Sequence, residues 1–184
     1  MATSRIQALL ERNRAFATEG GHDGAVMFPQ LALFVVTCID PRVDPAHFLG
    51  IRLSEALVSR NVGGRVTPEV IEDVAFIGQI AEVAIPEGPL FEVAIIHHNQ
   101  CGAGAFSSEA FRHGYAERTG AEESKLAARA VLDPVQTVRA DVELLRSAAA
   151  VSERVAVSGH VYDVLSGLLE TVVPADRAAG RAAA

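Results

Sequence analysis

Apolar residues recur along this chain in two rhythms. Near the start, Ile6, Leu9, Leu10, Asn13 and Phe16 fall at helical spacing and Gly20-Gly21 closes the pattern, which predicts an amino-terminal helical arm over residues 1–20. Leu31 to Thr37 and Phe91 to His97 are instead nearly unbroken apolar runs of strand length, suited to strands covered on both faces. Ala56 to Ser59 and Arg154 to Ser158 are shorter strand-like runs. Helical patterns lie between them: one opened by Thr67-Pro68-Glu69 and running to Ala84, one after Gly104, and two more over Ala121 to Val131 and Asp133 to Ala149. Val161 to Val164 and Leu168 to Val173, joined by Ser166-Gly167, predict a closing hairpin.

Strand, loop and helix therefore alternate, and the expected fold is α/β. It is a three-layer domain with a central, mostly parallel β-sheet of four or five strands flanked by helices. Residues 1–175 are expected to form one domain and residues 176–184, rich in Ala, Arg and Gly, a disordered tail.

Composition changes the picture mainly by exclusion. The 184 residues are 49% hydrophobic and 21% charged, as in an ordinary domain with one buried core. A net charge of -7 offers no basic footprint for nucleic acid or an anionic membrane surface. No signal-peptide core follows the first residues and no stretch approaches a membrane span, so the expected location is cytoplasmic. In such a reducing compartment the chain's two cysteines read as ligands or reactive thiols and not as a disulfide framework.

Both cysteines follow strand-like runs, Cys38 the first and Cys101 the third, and His98 stands three residues before Cys101. In a parallel sheet the carboxyl ends of the strands share one edge, so these residues arrive together despite their separation in sequence. Two thiolates and an imidazole suit zinc, and with only two cysteines the set leaves a coordination position over. Asp40 and Arg42, on the loop after Cys38, form a candidate gate. Asp40 can accept a hydrogen bond from metal-bound water or take the fourth position itself, and Arg42 can hold the carboxylate two-pronged and decide between them. His97 points away from His98 if the strand persists, which predicts a core histidine.

Cys38-x-Asp40-x-Arg42, then Arg60-Asn61-x-Gly63-Gly64, then His98-x-x-Cys101-Gly102, in this order on this strand pattern, resemble the β-class carbonic anhydrases over roughly residues 1 to 173. The turn Gly159-x-Val161-Tyr162-Asp163 is similar as well. The resemblance implies one zinc ion per chain on Cys38, His98 and Cys101, with Asp40 as an alternative ligand. Asp40 and Arg42 would be catalytic, and Asn61, Gly63, Gly64 and Gly102 would line the substrate cleft. It also implies reversible hydration of carbon dioxide to bicarbonate and a proton by zinc-bound hydroxide, in a homodimer or dimer-based assembly.

The sequence departs from that family at Pro41, at Asn99-Gln100 and at Val35. Relatives on the same scaffold that hydrolyse carbonyl sulfide or carbon disulfide are the alternative within enzymes, and a non-catalytic zinc-binding or redox-sensing relative is the alternative outside them. Two buried structural cysteines are the plainest rival. A dinucleotide loop at Gly102-Ala103-Gly104 lacks its third glycine, because Ser107 stands there. His22, His47, His113 and His160 lack ligand spacing and read as solvated or capping residues.

Overall fold

In the computed structural model, which describes residues 4–177, the long apolar runs become the middle of a five-stranded sheet. β1 (Leu33–Cys38) and β3 (Glu92–His98) lie side by side; β2 (Leu57–Asn61) flanks β1, and β4 (Ala156–Tyr162) followed by β5 (Leu169–Arg177) flanks β3. Neighbours are parallel except β4 with β5. Successive side chains leave a strand on opposite faces. Phe34, Val36, Val93 and Ile95 therefore enter one core layer and Val35 and Ile96 the other, all buried. Burial on both sides is why the runs are unbroken rather than alternating, and each such side chain contributes about 1.5–3 kcal/mol.

The first layer is closed by α3 (Pro68–Ala84) and α6 (Pro134–Ser147). Thr67 and Asp133 cap them by accepting hydrogen bonds from first-turn amides, and Pro68 and Pro134 fill first-turn positions that need no N–H. Helical spacing then places Val70, Val74 and Gly78 on the buried side of α3, and Val138, Asp141, Val142 and Leu145 on that of α6. On the second face, α2 (Pro45–Phe48) lays Phe48 against Tyr162, with ring centroids 4.4 Å apart. α4 (Glu109–Thr119) and α5 (Glu123–Ala127) close a smaller cluster around Ala103, Phe106, Leu126 and Val131. α1 (Gln7–Thr18) buries none of its residues.

Several boundaries differ from the sequence expectation. The fourth strand and the first arm of the expected hairpin are one strand, β4, whose antiparallel partner is β5, because pairing with β3 runs on through His98 and Tyr162. Asp176 and Arg177 extend β5; the rest of the expected tail lies outside the described residues. Helix over Ala121 to Val131 shrinks to α5: Arg65 takes the Ala128 carbonyl at 2.8 Å, and Pro134 has no N–H to offer Ala130. His160 is half-buried, bonded to Ser158 and Thr171, and not solvated.

Candidate metal centre

β1 and β3 are adjacent, yet the chain leaves them in opposite directions, to β2 on one side and β4 on the other. Such a switch point opens a crevice at the carboxyl edge. Cys38 is the last residue of β1 and His98 the last of β3, and Cys101 precedes the 3₁₀ turn Gly102–Ser107. Cys38 Sγ, a ring nitrogen of His98 and Cys101 Sγ lie within 4.8 Å of one another, the one such cluster among the described residues.

His98 shows what the cluster lacks. Its Nδ1 faces the Asn99 carbonyl at 2.8 Å, so that nitrogen carries the proton and donates. Nε2 then presents a lone pair, and this buried atom has no hydrogen-bond partner. The two sulfurs are 3.9 Å apart. A hydrogen bond from Cys101 pulls the Cys38 thiol down to about 4, and the resulting thiolate, with burial, pushes Cys101 up. Both cannot ionise without a cation between them. The soft donor set with an orphaned imidazole fits zinc, and three protein donors leave a position over.

The surrounding loops are tied down at named points. Arg60 on β2 donates to the Cys38 carbonyl at 3.0 Å, the Asp40 carbonyl at 2.8 Å and the Asp44 carboxylate at 2.9 Å. Asp40 is outside the cluster of three. Its carboxylate accepts from Arg42 Nε at 3.0 Å, from Nη2 at 2.7 Å and from the Arg42 amide at 2.9 Å, and Arg42 holds it down to about 2. Arg42 Nη2 also donates to the Gln100 carbonyl at 3.0 Å. Gln100 adopts a left-handed conformation, φ 52°, which aims that carbonyl across the loop.

Asn61, Gly63 and Gly64 lie behind the cluster. Asn61 closes the turn by accepting from the Arg65 amide and donating to the Arg65 carbonyl, at 2.9 and 2.8 Å. Gly64, at φ +66°, is pressed so closely under Cys38 that a Cβ would meet the backbone of Thr37 and Cys38 at 2.9 Å. Gly102 faces open space. The sequence offered no contact for Asn99, whose side chain grips Asp163 and the Val164 amide at 2.7 and 3.0 Å, and did not join His97, which is the core histidine expected, to Asp141 and Arg65 in one buried group. An aspartate on the apolar stripe of α6 was the available signal for that group.

The carbonic anhydrase family model matches residues 33–122. Beta-carbonic anhydrase 1 of Mycobacterium tuberculosis is 29% identical over 148 residues, 80% of this chain and 86% of that protein. The crystal structure of a carbonic anhydrase from Streptococcus mutans matches with a TM-score of 0.77 and 28% identity, over 94% of this chain and 99% of its own. Carbon disulfide hydrolase of Saccharolobus solfataricus is 31% identical over 77 residues, 42% of this chain and 34% of that protein.

Proposed function

We propose that this chain is a β-class carbonic anhydrase that binds one zinc ion on Cys38, His98 and Cys101 and interconverts carbon dioxide and bicarbonate. The observation that carries the zinc reading is the buried, partnerless Nε2 of His98 beside two sulfurs that cannot ionise together. Zinc there would supply a Lewis acid that lowers the pKa of water for attack on carbon dioxide. Asp40, oriented by Arg42, would be the acceptor for a proton of the attacking water, and without Arg42 its carboxylate would be a further candidate to hold the metal. Gly102 borders the open side of the cleft, while Asn61, Gly63 and Gly64 support the Cys38 side.

The working form is a cytoplasmic dimer or an assembly of dimers. Ile6, Leu9, Leu10 and Phe16 of the arm are 41–52% exposed, an apolar stripe that its own chain does not cover, and a 12-residue helix has little stability alone in water. Among the described residues no helix is long and apolar enough to cross a membrane.

Stopped-flow hydration of carbon dioxide by zinc-quantified protein, with carbonyl sulfide and carbon disulfide offered in parallel, tests the proposal. Hydration with one zinc per chain supports it. Release of sulfide without hydration would transfer the site to the hydrolase chemistry named for the Saccharolobus relative. A zinc-free, inactive chain would overturn the metal assignment.

A further inference from the structure

Behind the metal cluster, on the side the reaction does not use, three charged or titratable side chains are buried together. Asp141 stands on the apolar stripe of α6, 1% exposed, between Val138, Val142 and Leu145. A carboxylate placed there is costly unless it is fully bonded. It is: Arg65 Nε and Nη2 donate at 2.8 and 2.9 Å, the Val66 amide at 3.0 Å, and His97 Nε2 lies 3.2 Å away. The other acceptor near His97 Nε2 is the Gly64 carbonyl, also at 3.2 Å. With acceptors on both sides, that nitrogen must carry a proton, and Thr137 serves Nδ1 at 2.8 Å.

This network ends on the loop under Cys38. Arg65 is the last residue of the turn that Asn61 closes, and His97 holds the Gly64 carbonyl. Gly64 lies against the Cys38 and Thr37 backbone, and the Gly63 amide lies near enough to the Cys38 sulfur to help hold its thiol low. A shift of the loop by a few tenths of an ångström would therefore press on Cys38 or withdraw that amide. A hydrogen bond to a thiolate draws electron density from the sulfur and leaves a bound metal more electron-poor. For stability alone, well-packed apolar residues would serve the core as well as a buried ion pair. The pair adds a fixed direction for the backbone beside a ligand.

We propose that Asp141 is a positioning residue for the metal centre, acting through Arg65 and His97 to hold the Gly63-Gly64 backbone against the Cys38 sulfur. The proposal rests on the zinc reading above. Cobalt(II) serves as the probe, because its thiolate charge-transfer and ligand-field bands report the Cys38 bond without turnover. In Asp141→Asn, those bands should shift and zinc affinity, read by chelator competition, should fall by about tenfold or more. Val142→Ala, which loosens the same helix stripe without touching the network, should leave both unchanged.

Should Asp141→Asn not fold, Arg65→Lys keeps the charge but not the two-pronged grip, and it should move the same bands in the same direction. Unshifted bands and unaltered zinc affinity in whichever variant folds would overturn the positioning role while leaving the zinc reading intact. Equal shifts in Val142→Ala would overturn it too, by reducing the effect to general loosening. A wild-type chain that takes up neither metal overturns both.

Discussion

Arg42 and Arg65 each grip an aspartate with two nitrogens, one pair in front of the candidate metal centre and one behind it. Distances hardly separate them: Arg42 meets Asp40 at 3.0 and 2.7 Å, Arg65 meets Asp141 at 2.8 and 2.9 Å. Solvent does. The front pair joins residues two apart on one loop and leaves 47% of the Arg42 side chain and 14% of Asp40 exposed; the rear pair spans 76 positions and leaves 14% of Arg65 and 2% of Asp141. Screened by water, an exposed pair is weak and can exchange its partner, which suits a gate. A desolvated pair is expensive to break, which suits a fixed support. Burial, more than geometry, divides the two roles.

The comparison is broken most severely from behind. Asp141→Ala leaves the Arg65 charge without its buried partner, and the expected loss is about 3–5 kcal/mol of folding stability, measured by urea unfolding. Burial pushes the Asp141 carboxyl up, but hydrogen bonds from His97 and Arg65 outweigh it and hold it low. Its contribution is then complete above the ordinary carboxylate value and is lost as the pH falls below it, so the gap between wild type and variant should narrow in acid. A gap of less than about 1 kcal/mol at neutral pH would put the rear pair in the same class as the front one.

Gly64→Ala should cost less, about 1–3 kcal/mol, because it forces a left-handed φ on a residue with a Cβ and drives that Cβ to 2.9 Å from the backbone at Thr37 and Cys38. The same protein should hold zinc more weakly in a chelator titration. Unchanged affinity would mean that the loop under Cys38 can yield without moving the ligand.

The smallest effect on folding belongs to the front pair. Asp40→Asn should change stability by no more than about 1 kcal/mol and retain zinc, while carbon dioxide hydration falls about 10²-fold. Arg42 holds Asp40 down to about 2, so the pair is intact above the ordinary carboxylate value and is lost only as the pH falls toward about 2. The small gap in stability between this variant and wild type should therefore stay constant from neutral to alkaline pH and close only in acid. Full turnover in Asp40→Asn would remove Asp40 from the gate.

What the sequence by itself determined is whatever neighbours along the chain impose on one another. Unbroken apolar runs placed β1 and β3 in the sheet centre, and Thr67-Pro68 and Asp133-Pro134 marked where α3 and α6 begin. Cys38, His98 and Cys101 were legible together because two strands of a parallel sheet must deliver their carboxyl ends to one edge. Tertiary structure decided the rest. Where β4 ends depends on its pairing with β3, and where α5 stops depends on an arginine that arrives from another loop to take a carbonyl. Asp141 sits at an apolar position of its own helix, and nothing local says what would satisfy it there. Arg65 and His97 reach it from 76 and 44 positions away, and only the closed core removes the water that would otherwise make that pairing unnecessary.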